Sequence, residues 1–182
     1  MERYRFLMSG SGGQGVITMA IILAEAAVIY EGRTAIQSQS YGPEARGGAT
    51  RSDVIVADGP IFFPKVLHPN CLVALTSEAS NKYLHLIRPG GLFVYDSDLV
   101  QFDVRVDMRR KGLPMHRAVM ETLGKPQTFN ICVLGALAVL TEAVTLESLE
   151  KVLMTRFAEV HHKNNRTALQ LGADMAAALV EN

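Results

Sequence analysis

Six residues, Gly10-Ser11-Gly12-Gly13-Gln14-Gly15, constrain this chain more than any others, because a short apolar segment runs into them and a nearly all-apolar helix runs out. The segment Tyr4-Arg5-Phe6-Leu7-Met8-Ser9 reads as a strand ending in a glycine turn. From Gln14 to Tyr30, Val16, Ala20, Leu23, Ala24, Ala27 and Val28 recur at helical spacing, while Ile17, Met19, Ile21 and Ile22 fill most of the remaining circumference. A helix apolar all round must be covered on nearly all sides. The first strand and helix therefore require a larger layered body around them.

The pattern Gly10-x-Gly12-x-x-Gly15 stands where phosphate-binding loops stand, after a strand and at a helix start. Glycine lets the backbone turn tightly and approach a ligand, and free N–H groups at a helix start carry partial positive charge. A full dinucleotide fingerprint also needs an acid at the end of the second strand, ~20 residues on. The second strand, Thr34 to Ser38, ends instead in Gln37, Ser38 and Gln39, which speaks against a nicotinamide dinucleotide. The remaining readings are another phosphorylated or anionic ligand, or glycines that merely allow close packing.

The second strand leads into Ser40-Tyr41-Gly42-Pro43-Glu44-Ala45-Arg46-Gly47-Gly48. Gly42-Pro43 sets a turn, and Arg46 suits a carboxylate or phosphate held bidentately. A loop at this place lies at the carboxyl edge of the sheet, beside the first glycine loop, where open α/β sheets bind ligands. An Arg46–Glu44 surface pair is the bland alternative, and it contributes only ~0–1 kcal/mol.

Further strands are expected at Ser52–Ala57, Cys71–Thr76 and Leu92–Tyr95, with a weaker one at Val104–Val106. Ser77 is the expected N-cap of a helix carrying Tyr83, Leu84 and Ile87. Helices are expected over Met115–Leu123, Phe129–Ala143, Leu146–Val160 and Thr167–Val180. Strands and helices alternate and helices close the chain, so residues 1–182 read as one α/β domain with a mainly parallel sheet flanked by helices.

Charge and composition remove several functions. With 18 Lys and Arg against 18 Asp and Glu the net charge is zero, and a protein on a phosphate backbone neutralises ~6–10 phosphates, so nucleic acid is not expected. The apolar runs Val16–Ala24 and Ile131–Leu140 fall short of the ~18 residues of a membrane span. No leader peptide is legible either, and a cytoplasmic protein is expected. Cys71 and Cys132 stand far apart in apolar runs, which leaves too few thiols for an iron–sulfur or zinc site and fits buried packing.

His161-His162-Lys163-Asn164-Asn165 reads as a solvated helix start, since neither histidine has a carboxylate at i+3 or i+4. Asn130 opens an apolar helix and reads as an interior amide with a backbone partner, a ligand contact being the alternative. His68, His85 and His116 assemble into no triad, and no catalytic residue is assigned. Phe62-Phe63-Pro64 is either an anchor for a partner subunit or a plug under its own sheet.

The two glycine loops together, with Arg51–Val56, Gly90-Gly-Leu-Phe-Val-Tyr95-Asp, Asn130, Leu134-Gly135-Ala136-Leu137 and Lys163–Gly172, resemble the gamma subunit of the 2-oxoacid:ferredoxin oxidoreductases. The Ser-Tyr-Gly-Pro-Glu-Ala-Arg-Gly-Gly form is most similar to the 2-oxoglutarate branch. The resemblance implies a three-layer Rossmann-like domain with helices on both faces and a helical C-terminal part. It implies a complex that converts a 2-oxoacid and coenzyme A to acyl-CoA and carbon dioxide, with alpha, beta and ferredoxin-like delta subunits as partners and ferredoxin as electron acceptor. Thiamine diphosphate, magnesium and iron–sulfur clusters are then expected on the partner subunits, and no cofactor on this chain alone. Gly10, Gly12, Gly13, Gln14, Gly15, Tyr41, Gly42, Arg46, Gly47 and Gly48 are the candidate contacts to coenzyme A or to partner chains. A stand-alone module binding a phosphorylated or coenzyme A ligand is the competing reading.

Overall fold

Five of the six strands run the same way. In the computed structural model, which describes residues 3–39, 49–103 and 107–180, the sheet order is β2-β3-β1-β4-β5-β6. The strands are β1 (Arg3–Gly10), β2 (Thr34–Gln39), β3 (Thr50–Ala57), β4 (Cys71–Ala74), β5 (Leu92–Asp96) and β6 (Arg109–Leu113). The β1–β4, β4–β5 and β5–β6 pairings are parallel, whereas β3 runs antiparallel to both β1 and β2. The carboxyl ends of β1, β2, β4, β5 and β6 consequently share one edge. Thr50, which opens β3, pairs there with Gly10.

Alternation along each strand divides the interior in two. Phe6 and Met8 of β1, Val54 and Val56 of β3, Val73 of β4 and Val94 of β5 face the larger core. It is covered by α1 (Val16–Glu25), α3 (Met115–Leu123), α4 (Phe129–Thr141), α5 (Leu146–Arg156) and α6 (His162–Val180). Leu7, Ile55, Leu72 and Phe93 face the other side, under α2 (Ser77–Tyr83) and the connecting residues Val66, Val100 and Met108. Sheet residues with both neighbours apolar produce the near-continuous apolar runs seen in the sequence.

Every residue of α4 from Phe129 to Ala138 is buried, as a helix apolar on all sides must be. Its contact with α6 is made through glycines. A Cβ on Gly135 would strike the Leu169 carbonyl, and one on Gly172 would strike the Cys132 carbonyl, so the two backbones meet without side chains between them. α1 is buried along Val16, Met19, Ala20, Ile22 and Leu23 and then widens into a π-helical turn at Ala26–Tyr30.

Three local expectations need correction. The cap of α2 is Thr76 rather than Ser77: Thr76 has extended backbone angles, and its hydroxyl accepts from the Ala79 N–H at 3.1 Å. Ser77 already lies in the helix, where its hydroxyl donates to the Leu99 carbonyl at 3.3 Å and accepts from the Gln101 N–H at 2.8 Å. β6 is the basic run Arg109–Leu113, an edge strand whose exposed arginines hide its strand character, while Val104–Val106 lies outside the described residues. α6 begins at His162, at the helix start read at His161–Asn165 and ahead of the Thr167 bound, because a 3-10 turn at Glu159–His161 feeds directly into it.

Candidate functional site

The loop between β1 and α1 is braced by its own glutamine. Gln14 Oε1 accepts from the Ser11 N–H at 2.7 Å, and Gln14 Nε2 donates to the Leu75 carbonyl at 3.3 Å, which ties the loop to the end of β4. Gly12 and Gly13 are exposed, with no atom near the position a Cβ would take, so their backbone is open to a ligand. Gly15 ends the loop in a left-handed conformation, φ 72°, as the N-cap of α1. Of the candidate residues, Gly10, Gly12, Gly13, Gln14 and Gly15 are thus brought together at the carboxyl edge. Tyr41, Gly42, Arg46, Gly47 and Gly48 lie outside the described residues.

On the helical side of Gly15 lies a cleft of about 260 Å³ whose walls include Gly15, Lys125, Asn130, Phe157, His161 and Asn165. Asn130 is 6% exposed, and its Nδ2 donates to the Gly15 carbonyl at 3.3 Å. That bond bears out the expected backbone partner. It also fixes which amide atom is which, since a carbonyl only accepts. Asn130 Oδ1 is buried with no hydrogen-bond partner, and so is Nδ2 of Asn165, which is 5% exposed. The expectation of a solvated start at His161–Asn165 therefore holds for exposed His161 and Lys163 but fails for Asn165, which is buried. His162 serves the turn itself, its ring bonding the Phe157 carbonyl at 2.8 Å. Sequence carried a signal for Asn130 alone; nothing in the local pattern singled out Asn165 or Lys125.

Neither cysteine is placed to hold a metal. Cys71 and Cys132 are fully buried in β4 and α4, and burial pushes both thiols up, Cys132 to about 12, so both stay protonated at neutral pH. Among the described residues no three His, Cys, Asp or Glu side chains gather as a metal would require. An iron–sulfur cluster does not fit this chain. No helix among the described residues is long and apolar enough to cross a membrane.

On the opposite, thinner side of the sheet, Phe62 is 86% exposed and Phe63 51% exposed, with Leu67 exposed beside them. The segment is no plug under its own sheet. It borders a shallow hollow lined by Arg5, Phe63, Lys65, Leu67 and His68, apolar and basic groups with no acid among them.

The pyruvate ferredoxin/flavodoxin oxidoreductase family model matches residues 5–175. Over 97% of this chain and 96% of the relative, the sequence is 41% identical to 2-oxoglutarate synthase subunit KorC of Methanocaldococcus jannaschii. The gamma subunit of keto/oxoacid ferredoxin oxidoreductase from Geobacter sulfurreducens PCA superposes with a TM-score of 0.88 at 40% identity, covering 96% of this chain and 99% of that one. The 2-oxoglutarate:ferredoxin oxidoreductase of Magnetococcus marinus shares the fold, with a TM-score of 0.88 at 22% identity over 98% of this chain and 32% of that one. The chain belongs to the pyruvate ferredoxin/flavodoxin oxidoreductase family.

Proposed function

We propose that this chain is the gamma subunit of a 2-oxoglutarate:ferredoxin oxidoreductase complex, with residues 1–182 acting as one domain that docks on catalytic partners and positions coenzyme A. The observation that carries the proposal is the open Gly10–Gly15 loop at the start of α1, on a chain 41% identical along nearly its whole length to a 2-oxoglutarate synthase subunit. Backbone N–H groups at a helix start with no competing acid in the first turn suit the anionic part of coenzyme A. Tyr41, Gly42, Arg46, Gly47 and Gly48 complete the contact in this reading.

The redox chemistry belongs elsewhere in the complex. Two buried, protonated thiols hold no cluster, and no Gly-Asp-Gly element followed by Asn is present to seat thiamine diphosphate and its metal. Thiamine diphosphate, magnesium and iron–sulfur clusters are then carried by alpha, beta and ferredoxin-like delta partners, with ferredoxin accepting the electrons. Exposed Phe62, Phe63 and Leu67 supply an apolar surface for docking to one of them.

The test is to tag this chain in its native host, purify it without oxygen, identify the co-purifying subunits and assay dye or ferredoxin reduction. The proposal predicts cluster-bearing partners and coenzyme A-dependent turnover fastest with 2-oxoglutarate. Faster turnover with pyruvate or branched 2-oxoacids contradicts the branch. A colourless lone protein that binds coenzyme A tightly supports the stand-alone module instead.

A further inference from the structure

The loop between β3 and β4 turns apolar side chains outward on a backbone that is firmly held. Phe62 is 86% exposed, Phe63 51% and Leu67 56%. The Pro60 carbonyl accepts from Arg3 Nη2 at 3.4 Å, and the Val66 carbonyl accepts from Arg51 Nη2 at 2.8 Å. Arg51 is itself fixed by two bonds to Asp53, at 2.8 and 2.7 Å. Asn70 then ties the end of the loop to the start of β1, its Oδ1 accepting from the Arg5 N–H at 3.1 Å and its own N–H donating to the Arg5 carbonyl at 2.8 Å. Val66 and Pro69 are buried, so inward anchors alternate with outward side chains. Large apolar side chains displayed on a braced backbone form a contact surface that loses little conformational freedom when covered.

The charges beside that surface have one sign. Arg5, Lys65 and His68 line the hollow of about 280 Å³ together with Phe63 and Leu67, and no acid lines it. Exposed Arg88 stands next along the same edge, its N–H donating to the Pro69 carbonyl at 3.2 Å. Among the described residues none of these four basic side chains makes an ion pair. Asp58, the one acid of the loop, is engaged by Arg33 at 3.4 Å. Other surface cations find carboxylates within the chain, Arg117 at Asp98, Lys151 at Glu147 and Arg156 at Glu25. A small anion would meet the basic groups here and leave Phe62 and Leu67 in water. A second copy of this chain would set cation against cation, because a two-fold contact pairs a patch with itself. A protein segment carrying a carboxylate among apolar residues satisfies both halves of the surface.

We infer that this edge seats an acidic, apolar segment of a partner subunit, with one Asp or Glu held by Arg5 and Lys65 and its aliphatic or aromatic neighbours packed on Phe63 and Leu67. That the partner is a subunit rests on the gamma-subunit reading above; its carboxylate is read from the hollow itself. Arg5 stands near the amino end of β1 and the glycine loop at its carboxyl end, so docking here leaves that loop open.

Carbodiimide cross-linking, which joins lysine amines to carboxylates in contact with them, tests this on the complex purified through the tagged chain. Peptide mass mapping is expected to find Lys65 joined to an Asp or Glu of a co-purifying subunit. Lys65→Glu is expected to lower the partner recovered per tagged chain at least about tenfold, and Lys65→Gln by less, since reversal adds repulsion to the lost attraction. Lys65 is exposed, so both variants should melt with the wild-type chain, which separates lost docking from lost folding. Partner recovery undiminished by Lys65→Glu, or links from Lys65 to a second copy of this chain alone, overturns the docking and leaves the gamma-subunit reading in place. A wild-type chain recovered without any partner overturns that reading, and the docking with it.

Discussion

The side-chain amide of Asn130 donates to the backbone carbonyl of Gly15 at 3.3 Å across 115 positions of sequence, joining the first turn of α4 to the N-cap of α1. The glycine loop is thus held at its far end by the buried helix α4 and, through the Gln14 side chain, to the Leu75 carbonyl just beyond β4. A loop pinned at two places would lose less conformational freedom on binding a ligand than a free one.

Gly15 has two reasons to be glycine. Its φ is 72°, and a Cβ there would sit 2.5 Å from Asn130 Nδ2. Gly15→Ala is expected to cost about 2–4 kcal/mol, the left-handed penalty plus crowding of the amide, read as a lowered urea midpoint at unchanged slope. A midpoint equal to wild type would show that the loop relaxes freely.

The α4–α6 contact makes a sharper demand. In Gly172→Ala the new methyl meets the Cys132 carbonyl, part of a helix backbone that cannot swing aside. A loss of at least about 3 kcal/mol is expected, or failure to fold. Gly59→Ala, with nothing within 4 Å of its Cβ position, serves as the control and should melt with wild type. Equal midpoints for the two variants would contradict the close approach.

Gln14→Leu keeps the volume of the side chain and removes both of its bonds, to Ser11 and Leu75. Stability should fall by about 1–3 kcal/mol, and in the assembled complex the KM for coenzyme A should rise about fivefold with kcat nearly unchanged. A changed kcat at constant KM would place the loop's contribution in chemistry rather than binding.

Burial pushes the Cys71 and Cys132 thiols above their ordinary value near 9, Cys132 to about 12. In the alkaline range the folded chain then holds protons the unfolded chain has released. Their contribution is complete below pH 9 and is lost as the pH rises toward the folded values. Urea midpoints should decline from about pH 9 upward, less steeply in Cys132→Ala, and neither thiol should react with iodoacetamide until the chain unfolds. Labelling of the native protein at neutral pH would contradict the burial.

Sequence showed the layers but not the direction of β3. Alternating apolar runs and helical periodicity place β1 to β5 and the helices, yet a strand's polarity in the sheet depends on which edge its neighbours leave free. β6 was illegible because Arg109 and Arg110 are solvent-facing on an edge strand, so periodicity has only one buried face to work with. The glycine loop was legible because its chemistry is local. Asn165 was not, since it is an amide in a polar run and its burial comes from packing that local periodicity does not carry.

Under the proposed function, this chain completes a coenzyme A-dependent complex rather than acting alone. The most direct test is to assemble the partner subunits with and without this chain and follow ferredoxin reduction by 2-oxoglutarate as coenzyme A is varied. Adding the chain back is expected to restore coenzyme A-dependent reduction, and the chain alone is expected to show none. Full coenzyme A-dependent turnover by the partners without it would rule out that role for the chain.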